Sequence, residues 1–151
     1  MRTARRRIGR GSAPLRVFVD SGAWIALASA DDGHHAEAEA LFRQAIRQRA
    51  QLLTTNLVIA ETHRFLLHRA GMHAAAAVLN RIEASPLLTI EFATASHHEA
   101  ARRWLTKLAD QRLTYTDAVS FAVMDAVRCA AAITFDRHFT LAKFRRWPID
   151  N

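Results

Sequence analysis

Along the chain, short runs of β-branched and aromatic residues alternate with longer stretches in which apolar residues recur every three or four positions. The first pattern predicts buried strands and the second amphipathic helices. Arg16-Val17-Phe18-Val19-Asp20 reads as a strand, and Ser21-Gly22 opens a helix running to about Ala30. Asp31-Asp32-Gly33 breaks the pattern, after which Ala38, Leu41, Phe42, Ala45 and Ile46 recur at helical spacing between His35 and Arg49, so the two helices form an arm. Gln51-Leu52-Leu53-Thr54 predicts a second strand, with Thr55 or Asn56 placed to cap the next helix and Gly71 placed to end it. An alanine-rich helix from Met72 to Ala84 is closed by Ser85-Pro86, and Leu87 to Phe92 forms a third strand. A helix after Ser96 to about Leu108, a polar loop, a helix from Thr116 to Arg128 and a strand from Ala131 to Phe135 complete the order β-α-α-β-α-α-β-α-α-β.

Strands separated by helices imply right-handed crossovers, hence a parallel sheet with helices on both faces and an α/β fold. Ligands of such sheets bind beyond the carboxyl ends of the strands. Asp20 and Asp136 fall at two of those ends, and Asp117 falls at a helix start facing the same rim.

The length of 151 residues suits one domain with a real core, and 50% hydrophobic with 23% charged residues is ordinary for a globular protein. No apolar run approaches the length of a membrane span, and the arginine-rich start lacks the apolar segment of a secretory signal. The sole cysteine, Cys129, forms no intrachain disulfide, which suits a reducing cytoplasm. The net charge of +7 suggests nucleic acid, yet five arginines with no acid lie in residues 1–15. That stretch reads as a basic disordered tail, or as the product of an upstream start codon, rather than as a phosphate-binding arm, and residues 16–151 read as the domain.

Four acids each interrupt an apolar segment: Asp20 after Val17-Phe18-Val19, Glu61 after Val58-Ile59-Ala60, Asp117 before Ala118-Val119, and Asp136 after Ile133-Thr134-Phe135. A carboxylate there loses hydration and needs a cation, donors or a proton. Each has an ordinary explanation. Asp20 and Asp136 can cap helices, Thr114-Tyr115-Thr116-Asp117 matches a capping box, and Glu61 can face solvent. Gathered at one sheet edge, however, the acids would repel one another, and a hard divalent cation such as Mg²⁺ or Mn²⁺ would relieve the repulsion. A metal so held can polarise a phosphate and activate water, so the pattern points to phosphodiester cleavage. Ser21, Thr116, Ser120 and Thr134 lie close in sequence to these acids, as partners for carboxylate or phosphate or as plain caps.

The segments Val17-Phe18-Val19-Asp20-Ser21-Gly22-Ala23-Trp24, Val58-Ile59-Ala60-Glu61-Thr62, Leu113 to Phe121 and Ile133 to Phe139 resemble the four acidic motifs of PIN-domain ribonucleases, nearest to the VapC toxins of toxin–antitoxin pairs. The resemblance runs from about residue 16 to residue 148. It implies a PIN-like three-layer α/β/α sandwich around a parallel sheet of four to five strands. It also implies Mg²⁺- or Mn²⁺-dependent cleavage of RNA, with Asp20, Glu61, Asp117 and Asp136 as catalytic acids and Asp20, Asp117 and Asp136 as metal ligands. A homodimer and inhibition by a small cognate antitoxin are implied as well. Apolar Trp24, Leu27, Leu41, Phe42 and Ile46 exceed what a thin two-helix arm can bury, so a groove between that arm and the helix of Glu61 is expected to receive the antitoxin.

Two other readings compete. A metal-dependent phosphatase could begin with the same strand-Asp loop, but it would usually carry a second acid where Gly22 stands. A degenerate PIN fold that only binds RNA or a partner would have no use for four phosphate-repelling acids. The pairs His34-His35 and His97-His98 fit surface or capping roles, His138 fits a cap or an RNA contact, and Trp104 and Trp147 fit the core.

Overall fold

The computed structural model describes residues 13–149. Its centre is a five-stranded parallel sheet in the order β3-β2-β1-β4-β5, built from β1 (Arg16–Val19), β2 (Gln51–Thr55), β3 (Leu88–Glu91), β4 (Ala131–Ile133) and β5 (Arg145–Arg146). Helices α1 (Ser21–Ala28) and α2 (His35–Arg47) connect β1 to β2, and α3 (Asn56–Ala70) and α4 (Met72–Glu83) connect β2 to β3. Then α5 (Ala95–Lys107), one 3₁₀ turn (Ala109–Gln111) and α6 (Tyr115–Ala126) carry the chain back to β4, and α7 (Arg137–Leu141) leads to β5.

The order of strands decides where a ligand can go. From β1 the chain steps outward to β2 and β3, then returns past both to β4 on the other side of β1 and steps outward again to β5. Right-handed crossovers in opposite directions place their helices on opposite faces. The loops leaving β1 and β4 therefore diverge, and a crevice opens at the carboxyl ends of these two neighbours.

Val17, Phe18 and Val19 on β1 and Ala131, Ala132 and Ile133 on β4 are buried on both faces, as the central strands of a parallel sheet must be. Phe121 of α6 meets Phe139 edge-on at 5.0 Å and Phe144 at 5.3 Å, and Phe139 lies 6.1 Å from Phe18. These rings fasten α6 and α7 to the sheet, and with them the acids at the helix starts. Helices α2, α6 and α7 end alike. Arg49, Arg128 and Lys143 take left-handed φ of 54°, 54° and 71°. The next residue's N–H then reaches back to the carbonyls of Ala45, Met124 and Phe139 at 3.0, 2.8 and 3.0 Å. This turn satisfies a terminal carbonyl and points the chain into a strand each time.

Several boundaries differ from the expected ones. The β4 strand stops at Ile133 rather than Phe135, because the Thr134 hydroxyl accepts the Asp136 N–H at 3.0 Å and turns the chain off the sheet. Strand β5 stands outside the expected alternation, since two arginines carry no apolar signal. Helices α1, α2 and α6 end about two residues early, α6 giving way to the turn at Arg128. The expected arginine-rich tail falls almost wholly on residues 1–12, outside the described residues. No helix among the described residues is long and apolar enough to cross a membrane.

Candidate active site

Asp20 follows β1 and precedes α1, yet its side chain makes no capping bond to the helix. Its carboxylate instead accepts the Thr134 hydroxyl at 3.0 Å, while its N–H donates to the Ile133 carbonyl at 3.1 Å. Both partners come from the end of β4, so Asp20 is fixed across the crevice rather than along its own helix. It is only 5% exposed. Burial, followed by the negative charge of Asp117, pushes its carboxyl up to about 7.

The first turn of α6 carries Asp117, buried at 7% exposure. Thr114 caps that helix by accepting the Asp117 N–H at 3.1 Å, but the reciprocal half of a capping box is absent, so the carboxylate is left for the crevice. Burial raises its pKa and the Thr114 hydroxyl opposes this. The charges of Asp136 and Glu61 raise it further, against the pull of His138. Asp136 does cap its helix, accepting the His138 N–H at 2.9 Å, and the same oxygen meets the His138 ring Nδ1 at 2.7 Å.

His138 has a part in the loop structure that the sequence did not signal. Its Nε2 lies 2.7 Å from the Gln111 carbonyl, which can only accept, so Nε2 carries a hydrogen and Nδ1 faces a carboxylate. Burial lowers its pKa, but the Gln111 carbonyl and Asp136 together outweigh that and raise it. The ring thus ties the Asp136 cap to the loop before α6. Asp117, Asp136 and His138 each bring a ligand atom within 4.8 Å of the other two, but both His138 nitrogens already have partners. The signal available in sequence was Asp-x-His directly after a strand; the carbonyl that completes the bridge has no sequence signature.

Glu61 lies exposed on α3 and accepts the Ser21 hydroxyl at 2.6 Å, which draws the second helix pair to the α1 end of the crevice. Of the four neighbouring hydroxyls, Ser21 and Thr134 therefore hold acids in place. Ser120 does not: it is fully buried, and its hydroxyl donates to the Thr116 carbonyl within α6 at 2.9 Å. Thr116 enters that contact through its backbone. Asp110, in the 3₁₀ turn before α6, is exposed and bonded by its neighbour Gln111, outside the cleft.

An open cleft of about 490 Å³, lined by Asp20, Ser21, Gly22, Phe135, Asp136 and Arg137, leads to the acids. The buried Asp20 and Asp117 carboxylates, each pushed up by burial and by neighbouring acids, offer oxygen ligands that suit a hard divalent cation rather than a soft one.

The PIN domain family matches residues 17–145. The 23S rRNA-specific endonuclease VapC20 of Mycobacterium tuberculosis is 34% identical over 128 residues, covering 85% of this chain and 95% of that protein. Ribonuclease VapC26 of the same organism is 29% identical over 126 residues, covering 82% and 90%. The crystal structure of VapC20, described as a sarcin–ricin loop cleaving toxin, superimposes with a TM-score of 0.77 at 33% identity, covering 85% of this chain and 95% of that one. The chain belongs to the PIN-domain family, as an RNA-cleaving hydrolase of the VapC toxin type.

Proposed function

We propose that the chain hydrolyses RNA phosphodiester bonds with Mg²⁺ or Mn²⁺ held by Asp20, Asp117 and Asp136, and with Glu61 completing the catalytic set. The observation that supports this best is the convergence of acids from β1, α3, α6 and the end of β4 on one crevice. When bound, the cation supplies the positive charge that a phosphodiester and an attacking water both require. The chain's own residues do the positioning. Thr134 orients Asp20, and Ser21 engages Oε1 of Glu61, leaving Oε2 to accept a proton from water. Asp136 is aimed by its own helix cap and by His138. The substrate, by likeness to VapC20, is the sarcin–ricin loop of 23S rRNA, met in the cytoplasm.

A small antitoxin is the proposed inhibitor. A groove of about 320 Å³ is lined by Trp24 and Leu27 of α1 and by Phe42 and Ile46 of α2. Its remaining wall holds Leu52 of β2 and Arg81 of α4, so the groove is walled by those elements rather than by the helix of Glu61. Trp24 packs on Phe42 at 5.1 Å, and its buried Nε1–H has no acceptor among the described residues. Exposed Phe65 and Met72, at 45% and 79%, favour a homodimer.

The test is incubation of the protein with a sarcin–ricin hairpin in Mg²⁺, in Mn²⁺ and in EDTA, alongside Asp20→Asn and Asp117→Asn. Cleavage at a discrete site that both EDTA and either substitution abolish is expected. Cleavage that survives EDTA, or that both variants retain, rules the proposal out.

A further inference from the structure

We propose that the stacked rings of His34 and Phe135 form a platform for one nucleobase of the bound strand, beside the phosphate held by the acids. This rests on the ribonuclease reading above and adds to it a contact that selects and orients the RNA. The ring planes lie 11° from parallel with centroids 4.1 Å apart, a face-to-face stack. Phe135 directly precedes Asp136 and lines the cleft, so the stack stands at the mouth of the acid site.

His34 has little to do for the fold. It occupies the N-cap position of α2 without a side-chain capping bond; its backbone N–H is held by Asp32 at 2.8 Å, and its Nδ1 makes only a 3.4 Å contact with Glu37. Its side chain is 56% exposed. One face of the imidazole covers Phe135, and the exposure leaves the other face to solvent. A flat, half-polar surface beside a phosphate site is what an unstacked base requires, since every base has a π-face that stacks on aromatic or imidazole rings. Arg137 lines the same cleft, exposed and in no ion pair among the described residues, which leaves its guanidinium for the adjoining phosphate. The second such pair, His98 and Tyr115, is tilted by 59°, joined edge to hydroxyl at 2.8 Å, and outside the lining of the cleft.

The experiment measures binding of a fluorescein-labelled single-stranded oligoadenylate, and of the same strand with abasic sugars, in Ca²⁺ so that the strand is held rather than cut. The wild-type protein is expected to bind the base-bearing strand roughly tenfold more tightly than the abasic one. In His34→Leu, which covers Phe135 with a branched aliphatic chain and offers no flat face, that ratio should fall toward one. In His34→Trp it should persist or grow. An undiminished ratio in His34→Leu overturns the platform, as does a wild-type protein that binds both strands alike or neither. His34 is exposed and uncapping, so both variants should fold, which thermal unfolding verifies. Because binding is read without cleavage, these results stand apart from the EDTA and Asp20→Asn assays: cleavage that survives EDTA there would sink the metal-dependent nuclease, and an unchanged ratio here would sink only the platform.

Discussion

A carboxyl raised to about 7, against its ordinary 3.8, makes the fold itself sensitive to pH. Between those values the folded state keeps a proton on Asp20 that the unfolded chain releases, so stability is lost as pH rises from about 4 to 7, and the full cost, roughly 4 kcal/mol, applies above 7. Without divalent cation, the melting temperature should therefore fall from about pH 5 to about pH 8, and Asp20→Asn should flatten the profile while abolishing cleavage. Calorimetry in EDTA across that range checks it, and Mg²⁺ or Mn²⁺ should restore the wild-type protein at the alkaline end but not the variant. Thr134→Val keeps the shape but removes the donor to Asp20. It should reduce cleavage at least tenfold and weaken Mn²⁺ binding by a similar factor, since an orienting partner of a ligand typically contributes 10–100-fold; titration with Mn²⁺ measures the second effect. The four acids were legible in the sequence because each breaks an apolar run, a mark that local propensity does not erase. Thr134 and Ser21 were legible as neighbours, though only three-dimensional placement separates them from Ser120, whose hydroxyl turns back onto its own helix.

At the scale of elements, the three helix ends with left-handed Arg49, Arg128 and Lys143 occupy positions that usually favour glycine. Each non-glycine residue there carries about 1–2 kcal/mol of strain, partly offset by the smaller entropy it loses on folding. Arg128→Gly should consequently raise stability by about 0.5 kcal/mol without changing activity, a shift seen in the urea midpoint; a loss of stability would mean that the Arg128 side chain holds something the turn does not. These turns were invisible to sequence reading because it looks for glycine, and none is present. The succession of strands and helices along the chain was legible from the alternation of periods, and the hidden strand β5 shows the limit of that signal: Arg145 and Arg146 pair with Ala131 and Ala132 through backbone alone. The boundary of β4 was missed for a different reason, a single side-chain bond from Thr134 overriding an apolar run.

For the molecule as a whole, two surfaces remain to be tested. Trp24→Ala should abolish co-purification with the protein encoded beside it and leave cleavage within about twofold, because the groove of Trp24, Phe42 and Ile46 shares no lining residue with the acid cleft. Deleting residues 1–14 should keep metal-dependent cleavage, and each phosphate contact so removed should lower the salt slope of RNA binding by roughly 0.7. The arm's excess of apolar side chains was readable in sequence, but which wall faced it depended on how α4 packs, which no local pattern encodes. The parallel ladder between Val17–Val19 and Ala131–Ile133 has one more consequence, in time rather than in space. Asp20 is among the first of these residues to leave a ribosome, and the hydroxyl that fixes it, Thr134, is synthesised 114 residues later. Until then the strand that pairs beside β1 and the hydroxyl that fixes Asp20 are both missing, so the crevice between β1 and β4 is completed only late in synthesis.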